Sequence, residues 1–297
     1  MPSGAFCTSN ILLWDDKSGF ILGSCLYRGV EIPNFFLTNT AVRINQRTKD
    51  FFDCIRGFVM KILQRHDFGD VTGFELGWSP AGRPMMTVFF FVVKDLMIDT
   101  GLRHMRQEAL DIAYRSQIRN IFLTHYHEDH SGNAAAISKG SGAHVFGHPL
   151  TAKKMHTGYR IFPYQHLMWG KADPVEIRCV PHLWQQQGLC LQPVHTPGHS
   201  RDHLCYYDRQ NGRLFSGDLY LSARIKYFRA DEHICQQITS LKKVLALDFD
   251  SLFCAHRPMV RHGKAAIAKK LQYLEDFYGR VAALAEQGMD ESDIMAR

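Results

Sequence analysis

The sequence predicts an α/β fold, a four-layer αβ/βα sandwich with helices at its C-terminal end. Two observations carry this. From about residue 60 to 260, short apolar runs alternate with amphipathic stretches, the pattern of strands alternating with helices. In addition, four of the strand-like runs end in side chains that can bind a metal ion. Ile121-Phe122-Leu123 leads into Thr124-His125-Tyr126-His127-Glu128-Asp129-His130, and Leu189 to Val194 leads into His195-Thr196-Pro197-Gly198-His199. Leu214-Phe215-Ser216-Gly217 reaches Asp218, and Ser251 to Ala255 reaches His256. Ligands at strand ends in both halves of the chain suggest two similar halves meeting at one edge, with metals at the rim between two sheets.

The elements follow in order. Residues 1–59 show neither this alternation nor a clear amphipathic period, so they read as an appendage or a product of start-codon choice. Met60-Lys61-Ile62-Leu63 begins the first strand of the main domain, expected over 60–260. Met85 to Val93 is the longest apolar run. Lys94 ends it far short of the ~18 residues of a membrane span, so it reads as a buried strand and no membrane partner is expected. Leu102 to Arg115 reads as a helix through Ala109, Ile112 and Ala113. Arg119 to Leu123 is a strand, Ser131 to Lys139 a helix behind the metal turn, and Ala143 to Phe146 a strand.

Met155 to Val180 is a long connection holding Tyr159, Phe162, Tyr164, His166, Met168 and Trp169. Long connections in compact domains often bind ligands, so this aromatic-rich one is expected to line a ligand pocket beside the metal turn. A locally packed helical segment is the alternative. His233 to Leu247 reads as a helix with Ile234, Ile238, Leu241 and Leu245 on one face. The C-terminal helical segment, 261–297, opens with a long helix from Gly263 to Gln287. There Ile267, Leu271, Leu274, Tyr278, Val281 and Ala285 alternate four- and three-residue steps. This face packs on the core, with a homodimer seam as the alternative. Lys264, Lys269 and Lys270, with Arg257 and Arg261 before them, read as a solvated face or as an anionic-substrate patch beside the metals. Asp290 or Ser292 caps a last helix that stops mid-pattern, as a truncated tail would.

The chemistry starts from the spacing H-x-H-x-D-H at 125–130. Neutral imidazole and carboxylate are ligands that zinc, iron and manganese use in hydrolytic sites. In extended backbone His125 and His127 point the same way, Asp129 continues the alternation, and His130 turns to the other face. That arrangement suits two ions ~3.5–4 Å apart holding a bridging hydroxide. A surface histidine cluster without metal is the competing interpretation.

The order THxHxDH, then TPGH, then SGD, then a strand ending in AH resembles the metallo-β-lactamase fold superfamily, and its glyoxalase II-like hydrolases most closely. Asp95 to Gly101 resembles the hairpin ending in "DTG" that opens that fold, and the resemblance runs from about Gly73 to Met259. It implies that His125, His127 and His199 bind a first metal. Asp129, His130 and His256 would bind a second, with Asp218 bridging both. The implied cofactors are two divalent metal ions, zinc first, with iron or manganese as alternatives. His195 and His203 match positions often histidine in the family and would sit behind the ligands or in turns. Asp99 would support the site from below or occupy a surface turn. The commonest lactamase subclass carries Arg where this chain has His130 and Cys where it has Asp218, which disfavours that subclass.

The activity implied is hydrolysis of a small-molecule acyl substrate, an ester, thioester or lactone, by the bridging hydroxide. Asp129 is the catalytic residue that orients the hydroxide and shuttles a proton to the leaving group. Tyr126, Tyr164, Trp169 and Arg257 are the candidate substrate contacts. A metal-dependent nuclease and a mononuclear iron persulfide dioxygenase share most of these ligands, and a non-catalytic binder could keep the fold. A net charge of +6 without a dense Lys/Arg run argues against a nucleic-acid partner. Eight scattered cysteines, no C-x-x-C and a start without a secretory pattern predict reduced thiols and a cytoplasmic location.

Overall fold

A computed structural model describes residues 59–225, 229 and 231–295. The appendage expected over 1–59 therefore lies, but for residue 59, outside the described residues. β1 (Met60–Phe68), β2 (Val71–Ser79), β3 (Val88–Val93) and β4 (Leu96–Ile98) form an antiparallel meander. Parallel strands β5 (Asn120–Phe122), β6 (His144–Gly147) and β7 (Arg178–Cys179) extend it into a seven-stranded sheet in sequence order. The crossovers carry a 3-10 turn (Arg103–Met105), α1 (Arg106–Arg115), α2 (Glu128–Ser131), α3 (Ala134–Ser141), α4 (Pro149–Thr157) and α5 (Pro163–Met168).

The second sheet holds β8 (Trp184–Gln186), β9 (Leu189–His195), β10 (Leu204–Asp208), β11 (Arg213–Gly217) and β12 (Ser251–Cys254), in the order β12-β11-β10-β9-β8. Only β11 and β12 are parallel there, joined through α6 (Ile234–Leu245). α7 (Gly263–Glu286) and α8 (Glu291–Met295) follow.

Period-two alternation in β3 separates the layers. Phe89, Phe91 and Val93 face the second sheet with Leu96, Ile98, Phe122 and Phe146, meeting Leu191, Tyr206, Phe215 and Phe253. Val88, Phe90 and Val92 face the helices, meeting Met105, Ala109, Ile112 and Ile137. Every β3 residue is buried, as a strand covered on both faces must be. Behind the second sheet, Leu241 and Val244 of α6 and Ala266, Ile267 and Leu274 of α7 pack on Val194, Leu214 and Leu252. The four layers are helices, sheet, sheet, helices. Phe91 sits edge-on to Phe253 at 5.3 Å and tilted to Phe215 at 5.8 Å between ring centroids. Phe91→Ala is expected to cost about 3–5 kcal/mol, read from the urea midpoint, because its neighbours cannot collapse into the space.

Several expected elements shift. The strand expected from Met85 begins at Val88, and Met85 is 86% exposed. Pro80 and Pro84 precede it, and proline offers no N–H to a ladder. The helix expected from Leu102 starts as a 3-10 turn. Of the two candidate caps for α8, Asp290 takes the role, its Oδ1 accepting from Asp293 N at 2.9 Å. Lys270 is not on a solvated face: it is 2% exposed, whereas Lys269 is exposed. Tyr278 lies 46% exposed on α7. Among the described residues no helix is long and apolar enough to cross a membrane.

Candidate metal centre

The candidate ligands converge because several strands end at one rim. After β5 the chain bends at Thr124 and Tyr126, reaches His127 in an extended conformation (φ −57°, ψ 152°) and enters α2 at Glu128. Asp129 and His130 therefore stand on a helical turn and do not continue the extended alternation. Strand end and helix cap share this short sequence, and carboxylates are favoured in a first helical turn. Three further strand ends bring His199, Asp218 and His256. Gly217, just before Asp218, sits at φ +46°, and a Cβ there would come 2.8 Å from His203 Nε2 and 2.9 Å from the Thr124 side chain. Two backbone bonds stitch the sheets at this rim: Leu204 N donates to Thr124 O at 2.8 Å, and Phe89 N to Ala255 O at 2.6 Å.

Two groups of ligand atoms result. In the first, His127 Nδ1 lies 2.8 Å from His125 Nε2 and 3.1 Å from His199 Nε2. In the second, Asp129 Oδ2 lies 3.8 Å from His130 Nε2 and 3.9 Å from His256 Nε2. Asp218 stands between them. Its Oδ2 is 3.3 Å from His199 Nε2, while its Oδ1 is 3.3 Å from His130 Nε2 and 3.4 Å from His256 Nε2.

Acceptor-only partners behind the rings set their tautomers. His130 Nδ1 donates to Asp99 Oδ2 at 2.8 Å, His199 Nδ1 to Glu232 Oε1 at 2.7 Å, and His256 Nδ1 to Thr87 O at 2.7 Å. In the neutral ring, each of these bonds leaves the Nε2 lone pair facing the other ligand atoms. Asp99, itself left-handed at φ +59°, also accepts from Thr124 N and Thr124 Oγ1, both at 2.8 Å. His203 Nε2 accepts from Asp218 N at 3.1 Å, and its Nδ1 donates to Thr196 Oγ1 at 2.8 Å. Asp202 fastens the turn from outside, accepting from Tyr126 N at 3.1 Å and from Thr151 Oγ1 at 2.7 Å. Removing a carboxylate behind a ligating histidine typically costs 10–100-fold in metal affinity. Asp99→Asn and Glu232→Gln are each expected to weaken divalent-metal binding by about that factor, measured by competition with a chromophoric chelator.

The electrostatics fit a cation. Burial pushes His125 and His127 well below the ordinary imidazole range, and the neighbouring rings add to this, so both are neutral donors. Burial also opposes charge on His130 and His256, but the facing carboxylates prevail: Asp218 and Asp129 raise both. Asp218 is held well below the carboxylate range by His130 and His256 despite its burial. His130 Nε2 and Asp218 Oδ1 are buried without a hydrogen bond, although they lie 3.3 Å apart. Bonds of about 2.0–2.2 Å from one zinc ion would give ligand spacings of this size. Three sets of these residues could hold an ion: His125, His127 and His199; His125, His130 and Asp218; and Asp129, His130 and His256.

The other candidates fall around this centre. The Tyr126 ring lies 4.7 Å from His127 and 4.9 Å from Tyr159, with Lys154 Nζ 3.2 Å from its centroid. Tyr164, on α5, is 43% exposed and 6.2 Å from Trp169. Arg257 is exposed just past His256. His195 is turned away: it stacks on His148 at 4.6 Å, and its Nε2 donates to Arg201 O at 2.9 Å. Sequence reasoning missed Thr87, Thr124 and Glu232. Thr124 flanks the cluster and could have been suspected. Thr87 acts through its carbonyl and Glu232 sits in a loop, so neither leaves a local signal.

The comparisons agree with this geometry. The family model of the metallo-beta-lactamase superfamily matches residues 82–256, more than half of the chain. A hydroxyacylglutathione hydrolase from Aeromonas hydrophila subsp. hydrophila is 30% identical over 195 residues, covering 62% of this chain and 65% of the relative. One from Methylobacillus flagellatus is 29% identical over 199 residues, covering 65% of this chain and 71% of the relative. The chain thus spans just under two thirds of the Aeromonas relative's length. Among solved structures, a metallo-beta-lactamase from Pontibacter korlensis superposes with a TM-score of 0.56 at 17% identity, over 72% of this chain and 99% of that one. The paired sheets, the rim where four strand ends converge and the family match lead to one assignment: the chain belongs to the metallo-beta-lactamase superfamily.

Proposed function

We propose that the chain is a dinuclear metal-dependent hydrolase of a small ester, thioester or lactone. The observation that carries this is Asp218, which turns one carboxylate oxygen toward each group of ligand atoms. His125, His127 and His199 would hold one divalent ion, and Asp129, His130 and His256 the other. Zinc is the first choice for this donor set, with iron and manganese as alternatives. When bound, such ions supply Lewis acidity, lowering the pKa of water toward about 7 and polarising a substrate carbonyl.

The chain's own residues do the rest. Asp129, 8% exposed at the rim, takes the proton from the attacking water and returns it to the leaving group. Asp99, Glu232 and the Thr87 carbonyl keep the rings in place, so no reorganisation is needed when charge develops. Tyr126, Tyr164 and Trp169 are the candidate contacts for the acyl or leaving group, and Arg257 offers a cation beside His256. The working part is residues 60–260, with 261–297 as a helical segment and 1–59 as an appendage.

The relatives' name, hydroxyacylglutathione hydrolase, puts an acylated glutathione first among substrates to test. Elemental analysis of the purified chain is expected to find two metal equivalents. A panel of an acyl-glutathione thioester, a simple ester and a lactone should show hydrolysis of at least one. A single iron with oxygen uptake on a persulfide would replace this reading with a dioxygenase. Polyanion cleavage with strong salt dependence would replace it with a nuclease.

A further inference from the structure

Lys270 is a buried cation that the chemistry above does not use. It is 2% exposed on α7, among apolar neighbours that include Ile267 and Leu274. Its Nζ donates to the Leu219 carbonyl at 2.7 Å, and Leu219 directly follows Asp218. Taking an ammonium out of water costs far more than one hydrogen bond to a carbonyl returns. A methionine would fill the same space at no such cost, so packing does not explain the charge. The carboxylates that attract it are Glu232 and Asp218, and Cys254 is the remaining titratable neighbour. Glu232 holds His199 Nδ1, and Asp218 faces both groups of ligand atoms. The bond to the Leu219 carbonyl pins the turn on which Asp218 stands, and the ammonium charge acts favourably on both carboxylates.

We propose that Lys270 is a positioning residue of the metal centre, fixing the Asp218 turn through the Leu219 carbonyl and balancing the charge of Asp218 and Glu232. The proposal rests on the dinuclear reading. Its test uses the full chain with Lys270→Met and Lys270→Gln. Zinc affinity is measured by competition with a chromophoric chelator, folding by circular dichroism, and kcat and KM on whichever panel substrate the wild type hydrolyses.

Lys270→Met is expected to fold, to bind its weaker zinc equivalent about 10–100-fold less tightly, and to lose kcat by a similar factor with KM unchanged. Lys270→Gln, which keeps a donor for Leu219, should recover part of that loss. Combined with Glu232→Gln, Lys270→Met should weaken zinc by less than the sum of the two effects. Burial lowers the Lys270 pKa from 10.5 to about 8. The unfolded chain therefore keeps this proton to higher pH than the folded one. Metal-free wild type should gain stability as pH rises from 8 toward 10.5, and Lys270→Met should lack that gain.

Zinc affinity within twofold of wild type in Lys270→Met would overturn the proposal, even if thermal stability moved. Unfolding of both variants would assign Lys270 to the core and overturn it equally. A wild-type chain holding fewer than two zinc equivalents would instead defeat the dinuclear reading itself.

Discussion

Asp218→Ala is expected to reduce hydrolysis by more than about 1000-fold, roughly 4 kcal/mol of transition-state stabilisation. The residue serves both groups of ligand atoms, so its loss strips one donor from each. It also removes the first carboxylate that favours charge on His130 and His256, leaving two buried imidazoles with fewer partners. The backbone need not change, because Gly217 supplies the left-handed turn and the Leu219 carbonyl remains bonded. The measurement is kcat/KM in excess zinc, with metal content and circular dichroism on the same sample. A variant that kept two equivalents and activity within tenfold would show that Asp218 does not bridge the site.

Metal removal is the second large effect. Prolonged chelation should bring hydrolysis to the uncatalysed rate and lower thermal stability, with both restored by zinc. Five imidazoles and two carboxylates then face one another at 2.8 to 3.9 Å without a cation between them. Free zinc at about 1000 times its dissociation constant contributes about 4 kcal/mol for each site. At about 2–4 °C per kcal/mol in a chain of this size, two sites correspond to a fall of roughly 15 °C or more. Differential scanning fluorimetry with and without chelator reads this directly. An unchanged melting temperature together with unchanged hydrolysis would defeat the dinuclear reading.

Much of this was legible before the structure because the signals are local. The unbroken apolar run that ends at Val93 reads as a buried strand, and Val88 to Val93 is buried throughout. The HxHxDH turn and the three later strand ends lie together, because a ligand at the end of a strand needs only its own strand to reach the rim. Elements were misjudged where two local structures share one sequence. His127 to His130 suits an extended strand end as well as a helix cap, and the contacts of Ser131 with Tyr126 O and His127 O mark the helical turn. Lys270 follows an exposed Lys269 on an amphipathic helix, and only the docking of α7 behind the Asp218 turn buries it.

The sequence by itself determined the candidate donor set, its order along the chain and the strands that present it, because those depend on residue type and short-range pattern. Only the tertiary structure decided which donors face one another, that Asp218 looks both ways, and that Asp99, Glu232 and Thr87 set three ring tautomers. Hydrogen bonds and charge balance act over a few ångströms in space. Here they join residues 31, 33 and 169 positions apart in the chain, a distance across which residue pattern carries no information.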